Sequence, residues 1–215
     1  MASSTYRIRN TNELELTTFK RILAIAFAFG IQLLYLPTSE QTHGGMELKI
    51  PFDIFPIWPI WVLPYVLCYA LWIFSFTWAF FKFDDRLFRA FTIAFIFAGT
   101  ISATVFVFFP TYVRPAFIHG NDAFATLLRA VHEDWGRYDA FPSSHVYITT
   151  LMALFFSHAY PHTQKLWIAT VILVVFSTLF TGQHYIADAL GGLLIGFSAY
   201  SFGMWYDTAK SALKK

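Results

Sequence analysis

Apolar positions in this chain run in long blocks instead of alternating with polar ones. Residues 22–37, 57–81, 90–110, 146–160, 166–181 and 186–206 are almost free of charged side chains. A bilayer-spanning helix needs about 20 mostly apolar residues, and soluble helices seldom go so far without a charge. Each block is near or slightly under that length, so the pattern predicts an all-α bundle of six transmembrane helices. The first block runs into Leu36-Pro37-Thr38 without a small-residue cleavage pattern, so it reads as a retained span. Pro51, Pro56, Pro59 and Pro64 bend or delay the start of the second helix. The turn Tyr160-Pro161-His162-Thr163-Gln164-Lys165 leaves room only for two antiparallel neighbours.

The polar remainder sets the organisation: a tail over 1–21, a membrane catalytic domain over 22–207 and a second tail over 208–215. Cytoplasmic segments of membrane proteins hold an excess of Lys and Arg. Arg7, Arg9, Lys20, Arg21, Lys82, Arg86, Arg89, Lys165, Lys210, Lys214 and Lys215 fall on one side of the expected topology, and Lys49, Arg114, Arg129 and Arg137 on the other. Both termini are therefore expected in the cytoplasm. The longest hydrophilic stretch, about 111–145, lies on the opposite face, towards periplasm, exterior or lumen. Within it Asn121-Asp122 opens a short amphipathic helix reaching Val131, expected to lie at the membrane surface.

Composition agrees with the blocks. Of 215 residues 57% are hydrophobic and 13% charged, where soluble domains carry about 25% charged residues. The net charge of +2 is small and scattered, which excludes a nucleic-acid surface. Cys68 stands alone, so neither a disulfide nor a cysteine metal site forms within one chain.

Three segments carry candidate chemistry, and the expected topology puts all three on the non-cytoplasmic face: Phe109-Pro110-Thr111-Tyr112-Val113-Arg114-Pro115, Phe141-Pro142-Ser143-Ser144-His145, and Thr181-Gly182-Gln183-His184-Tyr185-Ile186-Ala187-Asp188. Asp188 follows His184 by one helical turn, where a carboxylate can accept the imidazole N–H. The other ring nitrogen is then free to act as nucleophile or base. A carboxylate in an apolar span is costly and seldom idle. Ser143 and Ser144 stand at a helix start, whose free N–H groups and positive dipole favour an anion. Arg114 adds a bidentate cation. The expected ligand is a phosphoryl group.

Together, Arg114-Pro115, Pro142-Ser143-Ser144-His145 and His184 with Asp188 resemble the type 2 phosphatidic acid phosphatase superfamily, in its inositol phosphorylceramide synthase-like branch. The resemblance covers the six-span core. It implies metal-independent and cofactor-free phosphoryl transfer from a phospholipid or polyprenyl phosphate. In that scheme His184 forms a phosphohistidine, Asp188 orients it and His145 protonates the leaving oxygen. Arg114, Ser143 and the N–H groups around Ser144 would hold the phosphoryl oxygens. Where the family has a Lys, a Gly and a second Arg, this chain has Val107, Ser144 and Thr178. Arg129 or Arg137 are the expected replacements for the missing charge. Hydrolysis of a lipid monoester or diphosphate is the leading expectation, headgroup transfer the first alternative, and a non-enzymatic lipid or anion transporter the second.

The remaining histidines, His43, His119, His132, His158 and His162, lack companions, and His132 with its acidic neighbours reads as solvated. His132-Glu133-Asp134 cannot aim at one metal ion from consecutive helix positions. Gly192 and Gly196 read as a close-packing helix seam. The tryptophans, Trp72 among them, read as interfacial or lipid-facing.

Overall fold

The computed structural model describes residues 16–41, 44–134 and 138–212, and among these all regular structure is helical. The helices are α1 (Thr18–Gln32), α2 (Tyr35–Gln41), α3 (Val62–Lys82, led by a 3₁₀ turn Pro59–Trp61), α4 (Asp85–Phe108), α5 (Ala123–Asp134), α6 (Ser144–Ala159), α7 (Gln164–Phe180) and α8 (Ile186–Ala212). Five stretches are long and apolar enough to cross a membrane: Thr18–Thr38, Pro59–Lys82, Asp85–Phe108, Pro161–Phe180 and Ile186–Ala209. The fold is thus that of a multi-pass helical membrane protein. At 16 residues, α6 is roughly 24 Å long. It is nevertheless the centre of the bundle, with α7 and α8 packed on it, α4 on α8 and α1 along α4.

Helix ends run past the apolar blocks where polar residues cap them. α4 starts five residues before its block because the Asp84 carboxylate accepts the Leu87 N–H at 2.9 Å and Asp85 adds negative charge to the first turn. α1 starts at Thr18, with the Thr17 hydroxyl accepting the Lys20 N–H at 3.4 Å. Arg21 is not a free tail residue. Its guanidinium donates to the Phe80 and Phe83 carbonyls at 2.6 and 3.0 Å and to Asp85 at 2.6 Å, tying α1 to the α3–α4 turn. The first apolar block is divided at residues 33–34 between α1 and α2.

The glycine seam is present. A Cβ at Gly192 would lie 2.7 Å from the Ser143 carbonyl oxygen and 2.8 Å from the Val146 Cβ, and one at Gly196 would lie 2.7 Å from the Thr150 Cβ. α8 therefore approaches α6 backbone to side chain, next to residues 143–145. Gly192→Val is expected to lower the thermal midpoint by several degrees, an overpacking cost of about 1–3 kcal/mol. Gly30 in α1 has open space where a Cβ would stand, so Gly30→Ala should leave the midpoint unchanged or raise it. Thermal denaturation of both variants in one detergent checks this, and equal loss in both would count against the seam.

Candidate active site

The three chemistry-bearing segments meet at one end of the bundle, joined by hydrogen bonds between them. The Thr111 hydroxyl accepts the Phe141 N–H at 2.8 Å, linking the first segment to the second. The Ser143 N–H donates to the Asp188 carbonyl at 3.0 Å, linking the second to the third. The Arg114 N–H donates to the Tyr185 hydroxyl at 3.3 Å, which closes the ring.

His184 precedes α8, so a helical turn does not align it with Asp188. The tight turn 181–185 does so instead. Gly182 there has φ 68°, a left-handed conformation that glycine adopts without strain. The Gln183 and His184 N–H groups both donate to the Thr178 carbonyl, at 3.1 and 3.2 Å. Asp188 Oδ2 accepts the Tyr185 N–H at 2.8 Å and stands 3.6 Å from His184 Nδ1. That is ion-pair range, slightly beyond a hydrogen bond, a looseness common before substrate tightens a site.

His145 sits in the first turn of α6, its ring 6.2 Å from that of His184 centroid to centroid. Three aromatic side chains of α3 surround it: Tyr65 stacks at 4.1 Å, Tyr69 meets it edge-on at 5.3 Å and Trp72 is tilted at 5.3 Å. Trp72 is itself fixed by donating to the Thr149 hydroxyl at 3.1 Å. Trp72 is thus part of the site wall and not an outward-facing belt residue. Aromatic faces attract a cationic ring, and rigid packing restricts its rotation.

Four buried polar atoms here have no hydrogen-bond partner among the described residues: Ser143 Oγ, His145 Nε2, His184 Nδ1 and Asp188 Oδ1. Buried polar atoms are normally paired, so this cluster has hydrogen-bonding capacity to offer a ligand. Ser143 is the N-cap of α6 by backbone, yet its hydroxyl makes no capping bond. The Tyr147 N–H is bonded within the helix, to the Ser143 carbonyl at 3.0 Å. The N–H groups of Ser144, His145 and Val146 belong to the first turn, where helices lack internal partners.

Arg114 is arranged differently from the expected clamp. Its side chain is 72% exposed and its guanidinium pairs with Glu47 at 2.9 Å. Glu47 also accepts the Tyr185 hydroxyl at 2.6 Å. That bond, more than Arg114, holds the Glu47 carboxyl below the usual glutamate range. The Tyr185 phenol is pushed up to about 12, first by burial and then by the Glu47 contact, so it remains a donor at physiological pH. The depressed Glu47 value means this network is intact above the ordinary glutamate pKa and is lost as pH falls through the lowered value.

Several supporting residues carried no motif. Asp53 is buried, and its two carboxylate oxygens accept the Ile186 and Ile50 N–H groups, each at 2.8 Å. It thereby caps α8 from a loop 133 residues away in sequence. His132 is not a solvated loop residue, because its Nε2 lies 2.8 Å from the Thr181 carbonyl oxygen, an anchor for the turn before His184. Arg129 donates to the Gly120 carbonyl at 2.8 Å and so braces its own loop. Arg137 lies outside the described residues. Among the described residues no group of three His, Cys, Asp or Glu side chains is placed to share a metal ion.

Comparison with known sequences adds two findings. The family profile of the PAP2 superfamily matches residues 58–202, more than half of the chain and all three joined segments. A 65-residue stretch is 32% identical to the inositol phosphorylceramide synthase catalytic subunit of Saccharomyces cerevisiae, covering 30% of this chain and 16% of the yeast protein.

Proposed function

This chain belongs to the PAP2 superfamily, and we propose that it is a membrane enzyme that transfers the phosphoryl group of a lipid through His184. The observation that carries this reading is the pair of imidazoles 6.2 Å apart, one beside the Asp188 carboxylate and the other fixed in an aromatic cage. His184 Nε2 attacks phosphorus while the bond to the lipid oxygen breaks, and His145 gives that oxygen its proton. His145 then takes a proton from water, which attacks the phosphohistidine, releases phosphate and restores His184. Asp188 holds the His184 proton on Nδ1. The Ser143 hydroxyl and the first-turn N–H groups of α6 bind the phosphoryl oxygens, a preorganised anion site of the kind that dominates phosphoryl transfer. No metal or other cofactor enters this scheme.

In this reading α6 also crosses, fourth in chain order and shielded from lipid by its neighbours, which brings the spans to six. An even number of spans puts both termini on one face, the cytoplasmic one by the Lys and Arg distribution. The histidines then open to the periplasm, exterior or lumen, and α5 lies along that surface.

The test is phosphate release by the purified protein from phosphatidic acid, phosphatidylglycerol phosphate and undecaprenyl diphosphate without added metal, with and without orthovanadate. Vanadate adopts the pentacoordinate geometry of transferring phosphorus and should inhibit, which it need not do for a transporter. Because one imidazole must be neutral and the other protonated, kcat/KM should rise and then fall with pH. A flat response from pH 5 to 9 with chemistry rate-limiting would sink the two-histidine scheme.

Headgroup transfer is the second reading, favoured by the yeast stretch and by charge. Val107 and Thr178 replace two family cations, and Glu47 neutralises Arg114, so the site suits a singly charged phosphodiester better than a dianionic monoester. Glu47→Gln should release Arg114 and lower KM for phosphatidic acid by about two- to fivefold, the range of an exposed ion pair. An unchanged KM would show that Glu47 does not compete for the arginine.

A further inference from the structure

At the end of the bundle away from the histidines, a cavity of about 560 Å³ opens between the α3–α4 turn, the end of α6 and the last turns of α8. Its charged wall is Lys82, Asp84, Arg86 and Asp207, with His158 beside them, and its apolar wall includes Phe83, Leu87 and Met204. Asp207 is buried and receives two arginines. Arg89 approaches it through Nε and a terminal nitrogen, both at 3.1 Å, whereas Arg86 donates from Nε alone at 3.1 Å. The Arg86 side chain is half exposed, so its terminal amino groups retain donors for a ligand. Lys82 sits in the last turn of α3 and also lines the cavity. His158 has one ring nitrogen, Nδ1, occupied by the Tyr200 hydroxyl at 3.1 Å, which leaves Nε2 available.

Charge counting narrows the ligand. The lining holds Lys82 and Arg86 against Asp84 and Asp207, and Arg89, behind the lining, pairs with Asp207, so the three cations exceed the two carboxylates by one charge. A single negative charge with several acceptor oxygens and an attached apolar body fits this lining, and a basic pocket between membrane helices is a natural headgroup site. We propose that this cavity binds the headgroup phosphate of an anionic phospholipid from the leaflet at this end of the bundle. The bound lipid pins α3, α4, α6 and α8 together at the end remote from the histidines. Inorganic phosphate shares the charge but not the apolar body, so Phe83, Leu87 and Met204 favour the lipid.

The experiment is native mass spectrometry of the wild-type full chain in detergent, whose intact His184 lets vanadate fill the histidine site. The protein is titrated with phosphatidylglycerol, phosphatidylcholine and inorganic phosphate, with and without saturating vanadate. One phosphatidylglycerol adduct should survive vanadate, exceed the phosphatidylcholine adduct and weaken roughly tenfold in Lys82→Gln/Arg86→Gln. Lys82→Gln alone, which removes a charge without touching Asp207, should give part of that loss in a protein with unaltered thermal midpoint. Equal retention of both lipids, an adduct indifferent to Lys82→Gln, or an inorganic phosphate adduct retained as strongly as the lipid would each overturn the proposal. Complete displacement by vanadate would do so too, by assigning the adduct to the histidine end.

Discussion

His184→Ala should abolish turnover, with kcat falling on the order of 10⁴-fold or more, as removal of a covalent nucleophile does. The protein should still fold. His184 Nδ1 makes no hydrogen bond among the described residues, and the turn that carries it is held by other groups: the Thr178 carbonyl accepts two N–H bonds, the Asp53 carboxylate caps Ile186, and the Trp58 N–H donates to the Phe180 carbonyl at 3.0 Å. None of these needs the imidazole. A loss of activity with an unchanged thermal midpoint would therefore report chemistry. Trapping supplies a second readout, since a phosphoryl adduct stable to base and labile to acid should form on wild-type protein and be absent from the variant. Purified His184→Ala protein retaining activity within a few-fold of wild type would end the phosphohistidine scheme.

Much of this arrangement is legible in the chain itself. Blocks of uncharged residues mark membrane helices because an unsatisfied charge in hydrocarbon is costly, and five of the six expected blocks correspond to helices long and apolar enough to span. The fourth block folds as α6, 16 residues long and mostly buried by its neighbours, shorter than the other five stretches. The segments containing Arg114, His145 and His184 stand out by residue type and order, and hydrogen bonds join them. What escapes the sequence is whatever depends on distant partners. Asp53 looks like an ordinary loop aspartate between Phe52 and Ile54, and nothing local indicates that its oxygens cap α8. His132 looks solvated until α5 folds against the turn at Thr181. Arg114 is recognisable as a cation near the site, but its pairing with Glu47 joins positions 67 residues apart. The same holds for Tyr65, Tyr69 and Trp72, whose common direction towards His145 emerges only when α3 packs beside α6.

Asp188→Asn should lower kcat by about 10²–10⁴-fold with little change in KM, because it alters which nitrogen of His184 carries the proton. The carboxylate does two tasks through one oxygen: Oδ2 accepts the Tyr185 N–H at 2.8 Å and stands 3.6 Å from His184 Nδ1. Asparagine retains an oxygen for the first task. With that oxygen kept on the Tyr185 N–H, the amide nitrogen takes the Oδ1 position and His184 Nδ1 faces a neutral acceptor in place of a carboxylate, which weakens the hold on the Nδ1 proton and with it the supply of the attacking Nε2 lone pair. Asp188→Ala loses both contacts, so it should add a stability loss of about 1 kcal/mol from the missing N-terminal cap. The Ser143 N–H bond is to the Asp188 main-chain carbonyl and survives in both variants, which keeps the second segment in place. Single-turnover rates and thermal midpoints of the two variants separate tautomer control from capping. If Asn keeps the wild-type rate within tenfold while Ala loses it together with stability, Asp188 acts only as a helix cap, and the orientation of His184 must come from the turn 181–185 alone.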